Sequence, residues 1–439
     1  MPSSSHSTPP VTTWQRTLYI IFLAQVITSV GFSSIFPFLP LYVKSLGSST
    51  ALSTELLSGL VFSGQALTMM IASPIWGALA DRWGRKIMVE RAMFGGAIVL
   101  GMMAFVRSAE ELVVLRAVQG LITGTIGAAN ALVAASVPRE RTGYAMGLMQ
   151  VGMGCGVGLG PIIGGAVADA FGYRAAFYVT GGLLVLAGII IHLGVEERFV
   201  PDTIAESHRS GFLTQWKHIL SAPGVVVVYT LRFMNQMGRM FILPILPLFV
   251  LELIARPDRV NSFTGMVIGS AAAATAVFAV VLGRIGDRTG HRQVVVAGAL
   301  ACFCVFLLQC WVTSGWQLLV LQILAGVALG GIVPGISALL AAYTRCGQEG
   351  AVYGLDNSIV SGARTVAPML GVAIAMWLGY RAVFAAAALL YLFTALLAMW
   401  GLPRAADACR PEFREKPGAP STDIVDGEAS WTREKPPLP

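Results

Sequence analysis

Long apolar runs recur along the whole chain, parted by short polar or glycine-rich breaks. Twelve are counted, near residues 17–43, 57–80, 87–107, 112–136, 144–169, 175–194, 222–253, 262–283, 293–313, 316–342, 352–378 and 381–401. A helix rises about 1.5 Å per residue, so about twenty apolar residues cross a hydrocarbon core roughly 30 Å thick. The runs lack the apolar–polar alternation of membrane strands, which excludes a transmembrane β-barrel. The pattern predicts an all-α membrane protein with twelve transmembrane helices.

The longest polar interruption is VEERFVPDTIAESHRSGFLTQWKHILS, residues 195–221, which parts six spans from six. The two sets resemble each other. IFPFLPLYV at 35–43 matches ILPILPLFV at 242–250, and GALADRWGRK at 77–86 matches GRIGDRTGHR at 283–292. Gly172, Tyr173 and Arg174 match Gly379, Tyr380 and Arg381. The step is constant (287 − 81 = 206; 381 − 174 = 207). Two pseudo-symmetric six-helix bundles follow, at 17–194 and 222–401, joined by a cytoplasmic linker at 195–221. Parallel halves of this kind hold a substrate between them near mid-membrane and rock against each other. Residues 1–16 form a polar N-terminal tail without the pattern of a cleaved signal peptide. Residues 402–439, rich in Pro, Glu, Arg and Asp, read as a disordered cytoplasmic tail.

Composition agrees. Hydrophobic residues make up 55% of the chain and charged residues 12%, against about 25% charged in soluble domains. The net charge of +7 raises the question of nucleic acid, but its placement answers it. With the N-terminus cytoplasmic, twenty of the thirty Lys and Arg fall on that side. Only Lys44, Arg107, Arg174, Arg256, Arg259 and Arg381 fall outside. That is the positive-inside bias of a membrane protein, with both termini inward and no nucleic-acid partner. Cysteine spacing matches no zinc site; Cys155, Cys302, Cys304 and Cys310 read as small apolar filler. No cofactor is expected, and a nucleophile–base or metal constellation for a membrane enzyme is missing from the sequence.

Several clusters carry more specific chemistry. In GALADRWGRKIMVER, Gly77 and Gly84 suit a tight reversal. Asp81 is expected at the start of the following helix, where the dipole favours an anion. Arg85, Lys86 and Arg91 are expected to pair with it or with lipid headgroups. LRAVQG places Arg116, Gln119 and Gly120 in span 4. An arginine inside a span costs several kcal/mol unless it meets water or a partner, so Arg116 is either functional or snorkels to the outer surface. GMGCGVGLGPIIGG, residues 152–165, holds seven glycines. Its order is not that of a nucleotide loop, since no lysine follows and no strand precedes, which argues against ATP as energy source. Gly152, Gly156, Gly160, Gly164 and Ala168 recur every four residues, a stripe that lets helices approach closely in lipid. Pro161 is expected to kink it. In span 7, Arg232, Asn235, Gln236 and Arg239 share a face. With Gln25, Arg364 and Asp356 they form either a polar cavity or a structural network. Three arginines against one interior acid make the cavity electropositive and imply an anionic or zwitterionic substrate.

Gly77, Asp81, Arg82, Gly84, Arg85 and Lys86 resemble the G-x-x-x-D-R-x-G-R-[RK] signature loop of the major facilitator superfamily. The resemblance covers about residues 14–402. It implies a conformational latch between the halves, with a second copy at Gly283, Asp287, Arg288, Gly290 and Arg292, where His291 replaces Arg85. Arg116, Gln119 and Gly120 resemble the family's span-4 motif, linked to proton transfer in drug antiporters. Gly156, Gly160, Pro161, Gly164 and Gly165 resemble the span-5 antiporter motif GxxxGPxxGG. Many drug–proton antiporters hold an acid deep in helix 1 or 4; here Glu55, Asp169 and Glu252 sit near span ends, leaving Asp356 as the proton-coupling acid. The resemblance implies a multi-pass plasma-membrane exporter of the twelve-helix drug–proton antiporter group, in the bacterial inner membrane. Its partners would be a small-molecule substrate, protons and lipid, with the chain as a monomer. A metabolite importer or facilitator on the same fold is the alternative. A non-transporting receptor would need neither Arg116 nor paired loops.

Overall fold

The structure, a computed structural model, describes residues 11–138, 141–197, 224–254, 257–343 and 349–402. Nearly all of the linker and the C-terminal tail lie outside the described residues, as do residues 1–10. Among the described residues every regular element is helical. In the first half these are α1 (Val11–Ser33), α2 (Leu39–Leu46), α3 (Thr54–Trp83), α4 (Arg85–Met103), α5 (Ala109–Ile122), α6 (Thr125–Ser136) and α7 (Thr142–Gly194). In the second they are α8 (Val225–Ile242), α9 (Leu246–Leu253), α10 (Val260–Thr289), α11 (His291–Gln309), α12 (Gly315–Tyr343), α13 (Glu349–Leu378) and α14 (Tyr380–Gly401).

Among the described residues, nine helices are long and apolar enough to cross a membrane, or ten when α8 and α9, bent by 42°, count as one span. Two local features account for the remaining passes. The 53 residues of α7 would extend about 80 Å as one rod, far beyond a bilayer. At Gly172 the backbone turns to φ 84, ψ 167 and the chain doubles back. α4 has the length of a span, but Arg85, Lys86, Glu90 and Arg91 crowd its first two turns. Counted this way, the described residues hold twelve candidate passes.

The repeat is written into the backbone. α3 and α10 both run thirty residues, and α4 and α11 both run nineteen. Their ends differ by 206 (260 − 54; 291 − 85). Gly84 and Gly290 take φ 100 and 101, and Gly172 and Gly379 both take φ 84. These are reversals that only glycine adopts without strain. Both halves also break their first span at the paired prolines, between Ser33 and Leu39 and between Ile242 and Leu246, where the hydropathy pattern reads one continuous run. Proline removes a backbone donor and clashes with the preceding turn, so the helix stops there.

Sidedness is inverted relative to a soluble protein. Trp377 is 84% exposed and Trp400 81%, while Gln25, Ser29, Arg116 and Asn235 are buried. Apolar exposure over the helices' outer faces matches lipid, not water. The bundle has two ends. The motif end carries the turns at Gly84 and Gly290; the far end carries Gly47, Gly172 and Gly379.

Candidate functional site

The stripe in α7 packs as its spacing requires. A side chain at Gly156 would strike Ser29, one at Gly160 would strike Ser33 and the Val30 carbonyl, and one at Gly164 would strike the Ser34 carbonyl. All four residues struck lie on α1 or just past its end, and the Ser33 hydroxyl donates to the Gly156 carbonyl at 2.8 Å. The second half repeats this at Gly371, which abuts the Phe241 carbonyl of α8. The motif's other residues face elsewhere. Gly165 meets Asn261 of α10, and the Pro161 carbonyl meets Gly265. One motif therefore presents two faces, one to its own half and one to the other half.

Two seams join the halves, α7 against α10 and α3 against α13. The 206–207 step turns each into the other. Both are antiparallel, and on the first seam the contacts of Asp169 with Asn261, Gly165 with Asn261, Pro161 with Gly265 and Gly158 with Gly269 run from the far end toward the middle. On the first seam Asp169 accepts from the Asn261 backbone at 3.2 Å, its Nδ2 at 2.7 Å and the Ser262 backbone at 2.6 Å. On the second, Gly59 faces Met369 and Val372, and the Ser53 hydroxyl donates to Met376 Sδ at 3.5 Å. Beside it the Tyr380 hydroxyl donates to Glu55 at 3.4 Å.

The cationic cluster lies in the second half, on α8 and α13. α8 and α13 bring Arg232 and Asp356 into a bidentate pair, Nε to Oδ1 at 3.0 Å and Nη2 to Oδ2 at 3.2 Å. Arg239 lies two turns along α8. Its side chain is exposed at the surface of the protein atoms. Arg364 of α13 lies near enough to feel the charges of Arg239 and Arg232. Among the described residues neither Arg239 nor Arg364 has an ion-pair partner. Two uncompensated guanidiniums inside a membrane protein are costly without water or an anion. Asn235 and Gln236 share this face and are buried; Asn235 Oδ1 has no partner. Gln25 does not join the cluster directly, since its Nε2 bonds Ser29 of its own helix at 3.1 Å.

Arg116 does not reach a surface. It is 1% exposed, which removes the snorkelling alternative. Its guanidinium donates to Gln119 Oε1 at 2.6 Å, to the Val61 carbonyl at 3.3 Å and to Gln65 Oε1, all neutral acceptors. Gly120 makes room for α3, because a Cβ there would strike Thr68 and the Gln65 carbonyl. The span-4 cluster thus locks α5 to α3, and the helix then breaks at Gly124, between α5 and α6.

The signature loops depart from expectation. Asp81 is in the last turn of α3, not at the start of α4, because Gly84 supplies the reversal three residues later; its side chain lies outside the described residues. The carboxylate that caps α4 is Glu197, which accepts from the Arg85 and Lys86 amides at 2.9 and 2.8 Å. Arg91 stacks on Trp76, 3.3 Å from the ring centroid. Lys86 Nζ donates to the His192 carbonyl at 2.9 Å, and Arg292, its equivalent, donates to the Ala398 and Met399 carbonyls. Each loop's last basic residue so ties its helix to the closing turn of the sixth span of the same half, a cation at a helix C-terminus. His291, replacing Arg85, sits 3.3 Å from Asp287. Arg82 and Arg288 are exposed in the last turns of α3 and α10, and Gly77 and Gly283 lie further back along the same helices. Sequence reasoning missed the capping roles of Glu197 and Asp169, because each partner lies about a hundred residues away.

The Major Facilitator Superfamily model matches residues 21–253 and 228–432. The multidrug resistance protein MdtG of Serratia proteamaculans is 35% identical over 400 residues, covering 90% of this chain and 96% of that protein. MdtG of Enterobacter lignolyticus is 34% identical over 400 residues, with 91% and 95% covered. Among solved structures, a bacterial homologue of the human lysosomal transporter Spinster, in an inward-facing occupied conformation, superposes with a TM-score of 0.71. It is 13% identical, with 88% of this chain and 96% of that chain covered. With its repeated helices and a family match over most of its length, this chain belongs to the Major Facilitator Superfamily and is a multi-pass membrane transporter.

Proposed function

We propose that this chain exports small drug-like or amphipathic compounds from a bacterial cytoplasm by proton antiport through alternating access. The observation that carries the reading is the pairing of seams that join the halves at the far end with Arg239 and Arg364, neither of which has an ion-pair partner among the described residues. A charged substrate site behind a closed end is what one half-cycle of alternating access requires. The basic motif end is cytoplasmic in this reading, with both termini, in the inner membrane, and one chain suffices. The similarity to multidrug resistance proteins supports drug-like substrates, and the span-5 motif supports antiport.

Arg239 and Arg364 select the substrate. An anionic or zwitterionic group offsets their charge, while apolar helix faces take the rest of the molecule. Arg232 is already engaged by Asp356, which makes that pair the exchangeable element. Protonating Asp356 releases a guanidinium, and removing either partner strands a charge. Exporting a monovalent anion against one proton moves two charges in the same sense. An inside-negative potential therefore contributes about 2.3 kcal/mol per charge per 100 mV.

Everted vesicles with an imposed proton gradient test the reading. Organic anions are added singly and gradient collapse is followed with a pH-sensitive dye. Substrate-induced proton release that vanishes in Arg116→Ala, at equal expression, is the expected result. Counterflow of labelled substrate without proton release contradicts antiport and identifies a facilitator. Arg232→Ala leaves Asp356 without its partner, so stability drops by about 3 kcal/mol, and Arg232→Ala/Asp356→Ala recovers most of it.

A further inference from the structure

We propose that Asp169 is the positioning residue that decides which end of the transporter is closed. As a carboxylate it holds the far end shut by capping, across the two halves, the first turn of α10. The proposal rests on the alternating-access reading above.

The first amides of any helix have no acceptor within it, and they lie at the positive end of its dipole. α3 solves this locally: its cap residue Ser53 accepts from the Leu56 amide at 3.2 Å. α10 has no such device. Its cap residue is Arg259, whose side chain makes no capping bond. The Asn261 and Ser262 amides instead donate to Asp169, which belongs to the other half, and the Asn261 side chain adds a third bond. All three are charge-assisted, the stronger kind of hydrogen bond.

The surrounding backbone is built for this contact. A Cβ at Gly165, one turn before Asp169, would strike the Asn261 carbonyl, and a Cβ at Gly265 would strike the Pro161 carbonyl. The two glycines let the helices meet backbone to backbone, which brings the carboxylate within reach. At the equivalent place on the other seam stands Met376, 207 residues on, whose thioether accepts one long bond from Ser53. The closure is thus charged on one seam and neutral on the other. Opening the far end must part Asp169 from α10 and leave the first turn of α10 to water.

Hydrogen–deuterium exchange on the full-length protein in lipid nanodiscs tests this without substrate. In Asp169→Asn, which keeps the side-chain shape, exchange is expected to rise roughly tenfold, the change that about 1.4 kcal/mol produces. The rise should appear in 260–266 and also in 54–60, on the distant seam, while 77–86 and 283–292 slow as the motif end closes. A local cap would raise exchange only near 165–171 and 260–266, and that result, or no change, overturns the proposal. Met376→Asp alone places a carboxylate at the neutral seam. It is expected to slow exchange in 54–60 and 260–266 together, and unchanged exchange there overturns the proposal even if Asp169→Asn does not fold. A protein that moved no protons in vesicles would leave the exchange result readable, so the two readings fail separately.

Discussion

The two seams between the halves share a geometry and differ in chemistry. α7 and α10 meet through backbone, at Gly165 against Asn261 and Gly265 against Pro161, with a carboxylate at the end. α3 and α13 meet through side chains, with Met369 Sδ 3.2 Å and Val372 Cγ2 3.0 Å from where a Gly59 Cβ would lie. Backbone contacts have no rotamers with which to adapt, whereas a thioether repacks readily. Duplication supplied the twofold arrangement; the residues placed on it make one seam stiff and the other compliant.

The largest expected effect separates these directly. Gly165→Ala forces a methyl group into the backbone of the other half, an overpacking of about 1–3 kcal/mol, and transport should fall roughly tenfold or more. Gly59→Ala meets only movable side chains and should stay within about threefold. Equal losses in the vesicle assay would break the comparison. Next, Asp169→Asn should lower stability in lipid by about 2 kcal/mol, as for hydrogen bonds to a charged group. Met376→Leu, which conserves shape, should cost under about 1.5 kcal/mol, and thermal melting ranks the two. Smallest is Tyr380→Phe, which removes one 3.4 Å bond to Glu55 and should shift stability by at most about 1 kcal/mol.

Much of this was legible in the chain. The step of 206–207 residues announced the repeat, and the same step reappears in helix ends and glycine dihedrals. The shared face of Arg232, Asn235, Gln236 and Arg239 followed from helical periodicity, as did the α7 stripe. Other features were hidden for physical reasons. The prolines at 37 and 244 read as apolar spans because hydropathy does not register a missing donor. Asp81 was expected at the wrong helix because the loop's charge order does not say which side of Gly84 is helical. Asp169 looked like an ordinary acid at a span end, and Glu197 was one of several charges in the polar linker. Their roles exist only once the fold brings α10 and α4 against them, and no local period encodes contacts 92 or 112 residues apart.

The most direct test of the account is accumulation of solute itself. Everted vesicles bearing the protein and an imposed proton gradient are given a labelled amphipathic organic anion, or a cation of matched size. The account predicts that the anion accumulates against its gradient, that collapsing the proton gradient stops it, and that Arg239→Gln abolishes it. Accumulation of the cation alone, or of neither compound, would contradict it.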